Sequence, residues 1–265
     1  MMKKITIIGG GNLGASIADG LLSSEFCKPA ALTITRRNIA ALNRFKTIGC
    51  TVSNNNKLAV AGADVIVLAV KPYNYLEVIK EIKPVLLAKK HLIVSVVTGV
   101  WIADLQKAIG KPVPIVRAMP NTAIAIQQSM TCVAHAGASA AQLNFIKALF
   151  DVLGKSIMID EKLMDAATVL GACGTAYAMR YIRANIQGGI EIGFDAATAA
   201  LIAAQTVKGA AALLLQKGTH PEQEIDKVTT PRGCTIAGLN EMEHRGFSSS
   251  LIKGIGTSFD KIVKG

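Results

Sequence analysis

Through its first 160 residues the chain repeats one pattern. Short β-branched runs alternate with stretches whose apolar residues return every three or four positions. The runs predict strands at Lys3–Ile8, Leu32–Thr35, Val65–Val70, His91–Val96, Pro114–Arg117, Met130–Ala134 and Ser156–Ile159. The periodic stretches predict helices at Leu13–Ser24, Ile39–Thr47, Tyr73–Val85, Ile102–Ile109 and Ala140–Leu153. Apolar strands separated by helices imply a parallel sheet covered on both faces.

The pattern breaks near Glu161. Beyond it Ala, Gly, Leu and Ile dominate, and no strand signal recurs. Asp195–Leu215, DAATAALIAAQTVKGAAALLL, predicts a long helix that is apolar around most of its circumference, although Gln205 and Lys208 make it a poor membrane span. Small residues all round predict a helix gripped closely on several sides. A domain running from 161 to 265 is too small to give that cover, so a partner subunit is expected to help. The expected organisation is an α/β domain over residues 1–160 and an all-helical domain over residues 161–265.

Composition narrows the class. A chain of 265 residues exceeds one core, which agrees with two domains. No uninterrupted apolar run approaches the roughly 20 residues of a membrane span. The opening MMKKITIIGGG imitates a signal peptide, but Ile5–Ile8 is shorter than an h-region of about 7–15 residues. Cys27, Cys50, Cys132, Cys173 and Cys234 are scattered and form no C-x-x-C, which suits a reducing cytoplasm better than a disulfide or zinc framework. His91, His135, His220 and His244 have no metal-ligand spacing, so no metal site is expected. The net charge of +11 reads either as solubility or as an electropositive cleft for anions. With 5% aromatic residues and no lysine/arginine cluster, nucleic-acid binding is not expected.

The sharpest local signal is IIGGGNLGASIADGL. Gly9, Gly11 and Gly14 form G-x-G-x-x-G between the first strand and the first helix. Gly9 allows the tight turn, Gly11 lets a pyrophosphate approach the backbone, and Gly14 lets helix and strand pack closely. Asn12 and Leu13 open the helix, whose free N–H groups and positive dipole end suit phosphate. This is the Rossmann dinucleotide fingerprint. An NAD site usually has an acid at the end of the second strand for the ribose 2′-OH, yet there is none between Glu25 and Asp64. TITRRN places Arg36 and Arg37 there instead, and guanidinium forks match a 2′-phosphate. The expected cofactor is NADPH, with NADH possible. Ala69, Val70, Lys71 and Pro72 end a later strand on the crevice side, where Lys71 reads as a nicotinamide neighbour or as a strand-end cap. Asn121 and Thr122 read as donors to the carboxamide or substrate, or as a turn after Pro120.

These segments, with Met119–Pro120–Asn121–Thr122, Asp165–Ala166, Gly174, Ala176–Tyr177–Ala178, Gly188–Gly189 and the stretch VTTPRGCTIAGL, resemble the pyrroline-5-carboxylate reductase family from about residue 3 to 260. The resemblance implies reduction of Δ1-pyrroline-5-carboxylate to L-proline by NAD(P)H, the last step of proline synthesis. It implies a helical C-terminal domain that interlocks with another subunit, in homodimers or assemblies of dimers. It places Asn56 near the adenosine ribose and the Thr235 hydroxyl against the imine nitrogen.

The TTPRGCT stretch then acquires a chemical reading. Thr230 is expected to cap the helix with Pro231 in its first turn, leaving the N–H groups of Gly233, Cys234 and Thr235 for the substrate carboxylate. Thr235 orients the imine and relays a proton through water rather than acting as a strong acid. His220 reads as a surface loop residue, and Asp165 and Tyr177 as packing or interface residues.

Several positions depart from the family pattern. Gly171–Tyr177 reads GACGTAY where the family usually shows S-G-S-G-P-A-Y, so Cys173 replaces a serine and Thr175 a proline. Arg180 and Arg183 stand where acidic or neutral residues are usual, and Arg232 and Cys234 where glycine and a small residue or Thr are common. A β-hydroxyacid dehydrogenase would need a lysine acid/base on the helix after the junction, and Thr168–Ile190 has none. A catalytically idle NADP-binding protein and a reductase of the six-membered imine remain as alternatives.

Overall fold

The computed structural model describes residues 3–264. They form two compact units, divided between Cys173 and Gly174, so the helical segment 161–173 falls with the sheet. Its attachment is physical: Met164, Thr168 and Val169 are buried, and Glu161 and Asp165 reach the Arg117 guanidinium.

The first unit carries eight strands: β1 (Ile5–Ile8), β2 (Leu32–Thr35), β3 (Thr51–Ser53), β4 (Val65–Leu68), β5 (Leu92–Ser95), β6 (Ile115–Met119), β7 (Ser129–Ala136) and β8 (Gly154–Met158). Their order across the sheet is β3-β2-β1-β4-β5-β6-β7-β8. Neighbours from β3 to β6 are parallel, β7 runs antiparallel to β6, and β8 follows β7 in parallel. The sheet is therefore Rossmann-type and doubly wound, but the expectation of a wholly parallel sheet fails at β7. The connection from β6 is short, only the single turn Thr122–Ile126, and a short connection returns the chain antiparallel rather than crossing over.

Helices of this unit are α1 (Asn12–Ser23), α2 (Asn43–Thr47), α3 (Asn56–Ala61), α4 (Tyr75–Ile82), α5 (Ile102–Ile109), α6 (Ala140–Asp151) and α7 (Met164–Ala167). Strand side chains alternate between two cores. Ile5, Ile7, Val65 and Val67 pack with Ile17 and Leu21 of α1 and with Ile146, Leu149 and Phe150 of α6. Ile8, Ile66 and Leu68 pack on the other face with Val78, Ile79 and Ile82 of α4 and with Leu105 and Ile109 of α5. Every residue of β1, β4, β5 and β6 is buried, which is why their sequences read as unbroken apolar runs.

The second unit is all helical: α8 (Gly174–Glu191), α9 (Ala196–Lys217), α10 (Pro221–Val228), α11 (Cys234–His244) and α12 (Phe247–Lys264). Asp195 caps α9 by accepting from the N–H groups of Ala197 and Thr198, and Gly218 ends it in the left-handed conformation. Small residues let α8 and α9 approach closely, since a Cβ added at Gly189 would lie 3.1 Å from that of Ala199. Within the chain, however, only Ala199 and Ala203 of this unit are buried among the described residues. Within the chain, helix α9 is thus covered on one side. By length and composition it is long and apolar enough to cross a membrane, and only 11% of its most apolar window is buried. Tyr177 donates to Ser258 at 2.6 Å, tying α8 to α12.

Candidate active site

The cofactor cleft lies where β1 has neighbours on both sides, β2 and β4, whose windings diverge; such a switch point opens a crevice at the strand carboxyl ends. Backbone geometry explains each glycine. Gly9 has φ +104°, and a Cβ there would meet the Ala69 carbonyl oxygen at 2.5 Å. The N–H groups of Gly9 and Gly10 both donate to the Thr35 carbonyl, at 3.1 and 2.8 Å, which pins the loop to β2. A Cβ at Gly14 would stand 2.1 Å from the Gly9 oxygen, so the helix can begin this close only without a side chain. Gly11 has nothing within 4 Å of its missing Cβ, and as the N-cap of α1 it offers no capping side chain. The first N–H groups of α1 therefore face open space, as a phosphate site requires.

A cavity of about 740 Å³ opens at this point. Gly9, Gly11, Asn12, Leu13, Arg36, Arg37, Asn56, Ala69, Val70, Lys71 and Pro72 all line it. Gly14 sits behind it and shapes the loop. Asn121 is the exception among the expected cofactor residues. Its amide donates to the Gly171 carbonyl at 3.1 Å and accepts from the Ala123 N–H at 3.0 Å, while its own N–H donates to Ser129 Oγ at 3.0 Å. The side chain is spent on holding a turn and the π-helical turn Thr168–Cys173, and it does not line the cleft.

The two arginines differ. Arg36 Nη1 donates to the Gly10 carbonyl at 3.1 Å and its backbone N–H to Ser53, so its guanidinium is fixed over the glycine loop. Arg37 is exposed and pairs with Glu77 of α4 at 3.4 Å. Asn56 accepts from Thr35 Oγ1 at 2.6 Å and donates to Glu81 at 2.8 Å, so it braces the end of β2 against α4. Sequence reasoning missed Thr35, Asn54, Asn74, Val96 and Thr98 on the cleft wall, along with the two acids of α4. The i, i+4 spacing of Glu77 and Glu81 puts them on one helix face, but nothing in that spacing says which strand end they approach.

The TTPRGCT stretch corrects the expected cap. Helix α11 begins at Cys234, its N-cap is Gly233, and no side chain caps it. Thr230 lies one turn earlier and accepts the Gly233 N–H at 2.9 Å, closing a β-turn through Pro231 and Arg232. Gly233's N–H is thus not free for a ligand. The open donors are those of Cys234, Thr235 and Ile236, the first residues of α11. Gly233 packs tightly on the turn, because a Cβ there would lie 2.6 Å from Thr230 Oγ1 and 3.0 Å from the Thr230 carbonyl oxygen, so a larger residue would force the hydroxyl to move. Arg232 has φ +61°, a left-handed backbone normally left to glycine. Cys234 is exposed.

Other expected chemistry finds structural uses. His220 caps α10, its Nδ1 accepting from the Glu222 N–H at 3.3 Å. Asp165 lies 3.7 Å from the fully buried Arg117 guanidinium, which also pairs with Glu161 at 3.2 Å and stacks 5.0 Å from the Trp101 ring centre. Burial, with Cys50 nearby, pushes the Cys27 thiol up to about 11, and burial raises Cys50 and Cys132 as well, so none of the three is a thiolate nucleophile. No group of three metal-ligating side chains occurs among the described residues.

Comparison with known proteins fits this geometry. The family model described as NADP oxidoreductase, coenzyme F420-dependent, matches residues 4–99, the glycine loop through β5. The class is thus a Rossmann-type dinucleotide oxidoreductase. The model for pyrroline-5-carboxylate reductase dimerisation matches residues 161–264. Pyrroline-5-carboxylate reductase 2 of Dictyostelium discoideum is 42% identical across 99% of this chain and 93% of its own length. Pyrroline-5-carboxylate reductase 1 of the same organism is 46% identical across 97% of this chain, which spans about half (49%) of that relative. The solved pyrroline-5-carboxylate reductase of Coxiella burnetii superposes with TM-score 0.94 at 29% identity, covering 100% of this chain and 98% of that one. The chain belongs to the pyrroline-5-carboxylate reductase family.

Proposed function

We propose that this protein reduces Δ1-pyrroline-5-carboxylate to L-proline with NADPH, and with NADH as a second donor. The observation that carries the reading is kinship over 99% of the chain, from the glycine loop to the TTPRGCT stretch. The cleft fits the cofactor on its own geometry: an uncapped helix start, a glycine with open space before it, and a fixed arginine. When bound there, the nicotinamide cofactor supplies the hydride.

In this reading residues 1–160 hold the cofactor, and residues 161–265 hold the substrate and the self-association surface. The substrate is a cyclic imine bearing a carboxylate. The uncapped N–H groups of Cys234, Thr235 and Ile236 receive the carboxylate, helped by the positive end of α11. Thr230 and Gly233 shape the turn that leaves those donors open. The Thr235 hydroxyl accepts or donates at the imine nitrogen, orienting the ring and passing a proton from water. Orientation of this kind supplies several kcal/mol of rate enhancement. Asn121 supports the reading only indirectly, through the turn it holds.

The exposed apolar faces of α9 and α12 support a homodimer or an assembly of dimers. Five free cysteines suit a reducing cytoplasm.

The assay is consumption of NADPH with pyrroline-5-carboxylate supplied, run beside the six-membered imine. Turnover favouring the five-membered ring is expected; no consumption of NADPH with either imine overturns the proposal. Thr235→Ala is expected to lower kcat at least about tenfold with little change in NADPH affinity. An unchanged kcat removes Thr235 from the site.

A further inference from the structure

The acid that the sequence lacks at the end of β2 is supplied in space by another element. Glu77 of α4 reaches Arg37 at 3.4 Å, with both side chains largely exposed. It stands between Asn74 and Val78, both of which line the cofactor cleft. The two arginines are therefore not equivalent. Arg36 is tied to a neutral carbonyl and keeps its charge for a ligand. Arg37 is held by a carboxylate, and its charge is already balanced. Glu81, one turn along α4, is occupied by neutral donors, the backbone N–H and side-chain amide of Asn56. Of the two acids, Glu77 alone competes for a guanidinium.

We propose that Glu77 sets the cofactor preference of this protein by competing with the ribose 2′-phosphate for Arg37. The inference rests on the proposed NADPH reading and deepens it. A 2′-phosphate that binds Arg37 displaces a carboxylate and then lies beside it, and like charges at that range repel. A cofactor with a free 2′-OH meets neither cost. Glu77 thus holds down NADPH affinity and leaves NADH affinity alone, narrowing a gap that two unopposed arginines would widen. An exposed ion pair opens readily, so the effect is moderate and diminishes with salt.

The test is cofactor binding without substrate, read by NADPH and NADH fluorescence titration at low and high ionic strength. Glu77→Gln is expected to tighten NADPH about three- to fivefold at low salt, less at high salt, and to leave NADH within about twofold. Placed on an Arg37→Ala background, the same substitution is expected to lose most of that gain. A thermal melt matching the parent confirms that the exposed change leaves the fold intact. NADPH affinity unchanged by Glu77→Gln, or NADH tightened equally, overturns the inference. Arg36→Ala with Arg37→Ala is the control for the underlying reading. If that pair fails to weaken NADPH relative to NADH, the 2′-phosphate assignment fails and the inference with it. If the pair weakens NADPH and Glu77→Gln does nothing, only the inference fails.

Discussion

The two units bury their apolar residues very differently. In the first, β1, β4, β5 and β6 are buried along their whole length between two helical layers. In the second, Ala199 and Ala203 are the only buried side chains among the described residues, while Leu201, Ile202, Leu213, Leu215 and Ile252 are exposed. Both regions are rich in apolar residues, so composition alone does not distinguish them. What differs is where the cover comes from. A sheet with helices on both faces closes its own core, whereas a few helices of small residues leave most of their surface for another copy.

The largest effect that would break this contrast is expected at the exposed face of α9. Leu201→Glu with Ile202→Glu should weaken self-association on the order of a thousandfold, because two carboxylates would have to be buried unpaired. Sedimentation across a dilution series measures it, and an unchanged assembly mass would assign the interface elsewhere. Next comes the first unit's buried cation. Arg117→Ala leaves Glu161 and Asp165 facing an empty site and should cost about 3–5 kcal/mol, read by urea unfolding and independent of protein concentration. A loss that varied with concentration would mean that the first unit also depends on a partner. Ser139→Ala, which removes the capping box of α6, is expected to cost about 1 kcal/mol in the same measurement.

Acid should separate the units by pH. Burial first, then Lys90, holds the His91 imidazole below its usual 6.5. The unfolded chain takes up that proton before the native one does. The His91 contribution is therefore whole above pH 6.5 and is lost as pH falls through the depressed native value. In the second unit, hydrogen bonds from Lys227 and then Thr219 bring Glu224 from 4.5 down to about 2. Its contribution persists above pH 4.5 and disappears only toward pH 2. Amide exchange followed over pH should show β5 loosening before α10; the reverse order would contradict this assignment of the two groups.

Much of the first unit was legible because its signals are local. The glycine loop, the arginine pair and the apolar runs each declare themselves within a few residues. What escaped depended on distant contacts. β3 is three residues long and partly exposed, so it has no periodicity to detect. The reversal at β7 leaves no mark, since an apolar strand reads the same in either direction. Asn121 stands in a motif that suggests ligand contact, yet a carbonyl fifty residues away claims its amide. At TTPRGCT the hydroxyls pointed to Thr230 as the cap. A left-handed backbone at Arg232, which sequence does not reveal for a non-glycine residue, moves the cap to Gly233.

The bare flank of α9 also governs what happens to a newly made chain. In a lone copy this flank displays a helix long and apolar enough, by length and composition, to cross a membrane. Chaperones and proteases that sort orphan subunits recognise such surfaces, and the time spent in that condition is set by encounter rate. A higher concentration of copies shortens the time for which that flank stays uncovered.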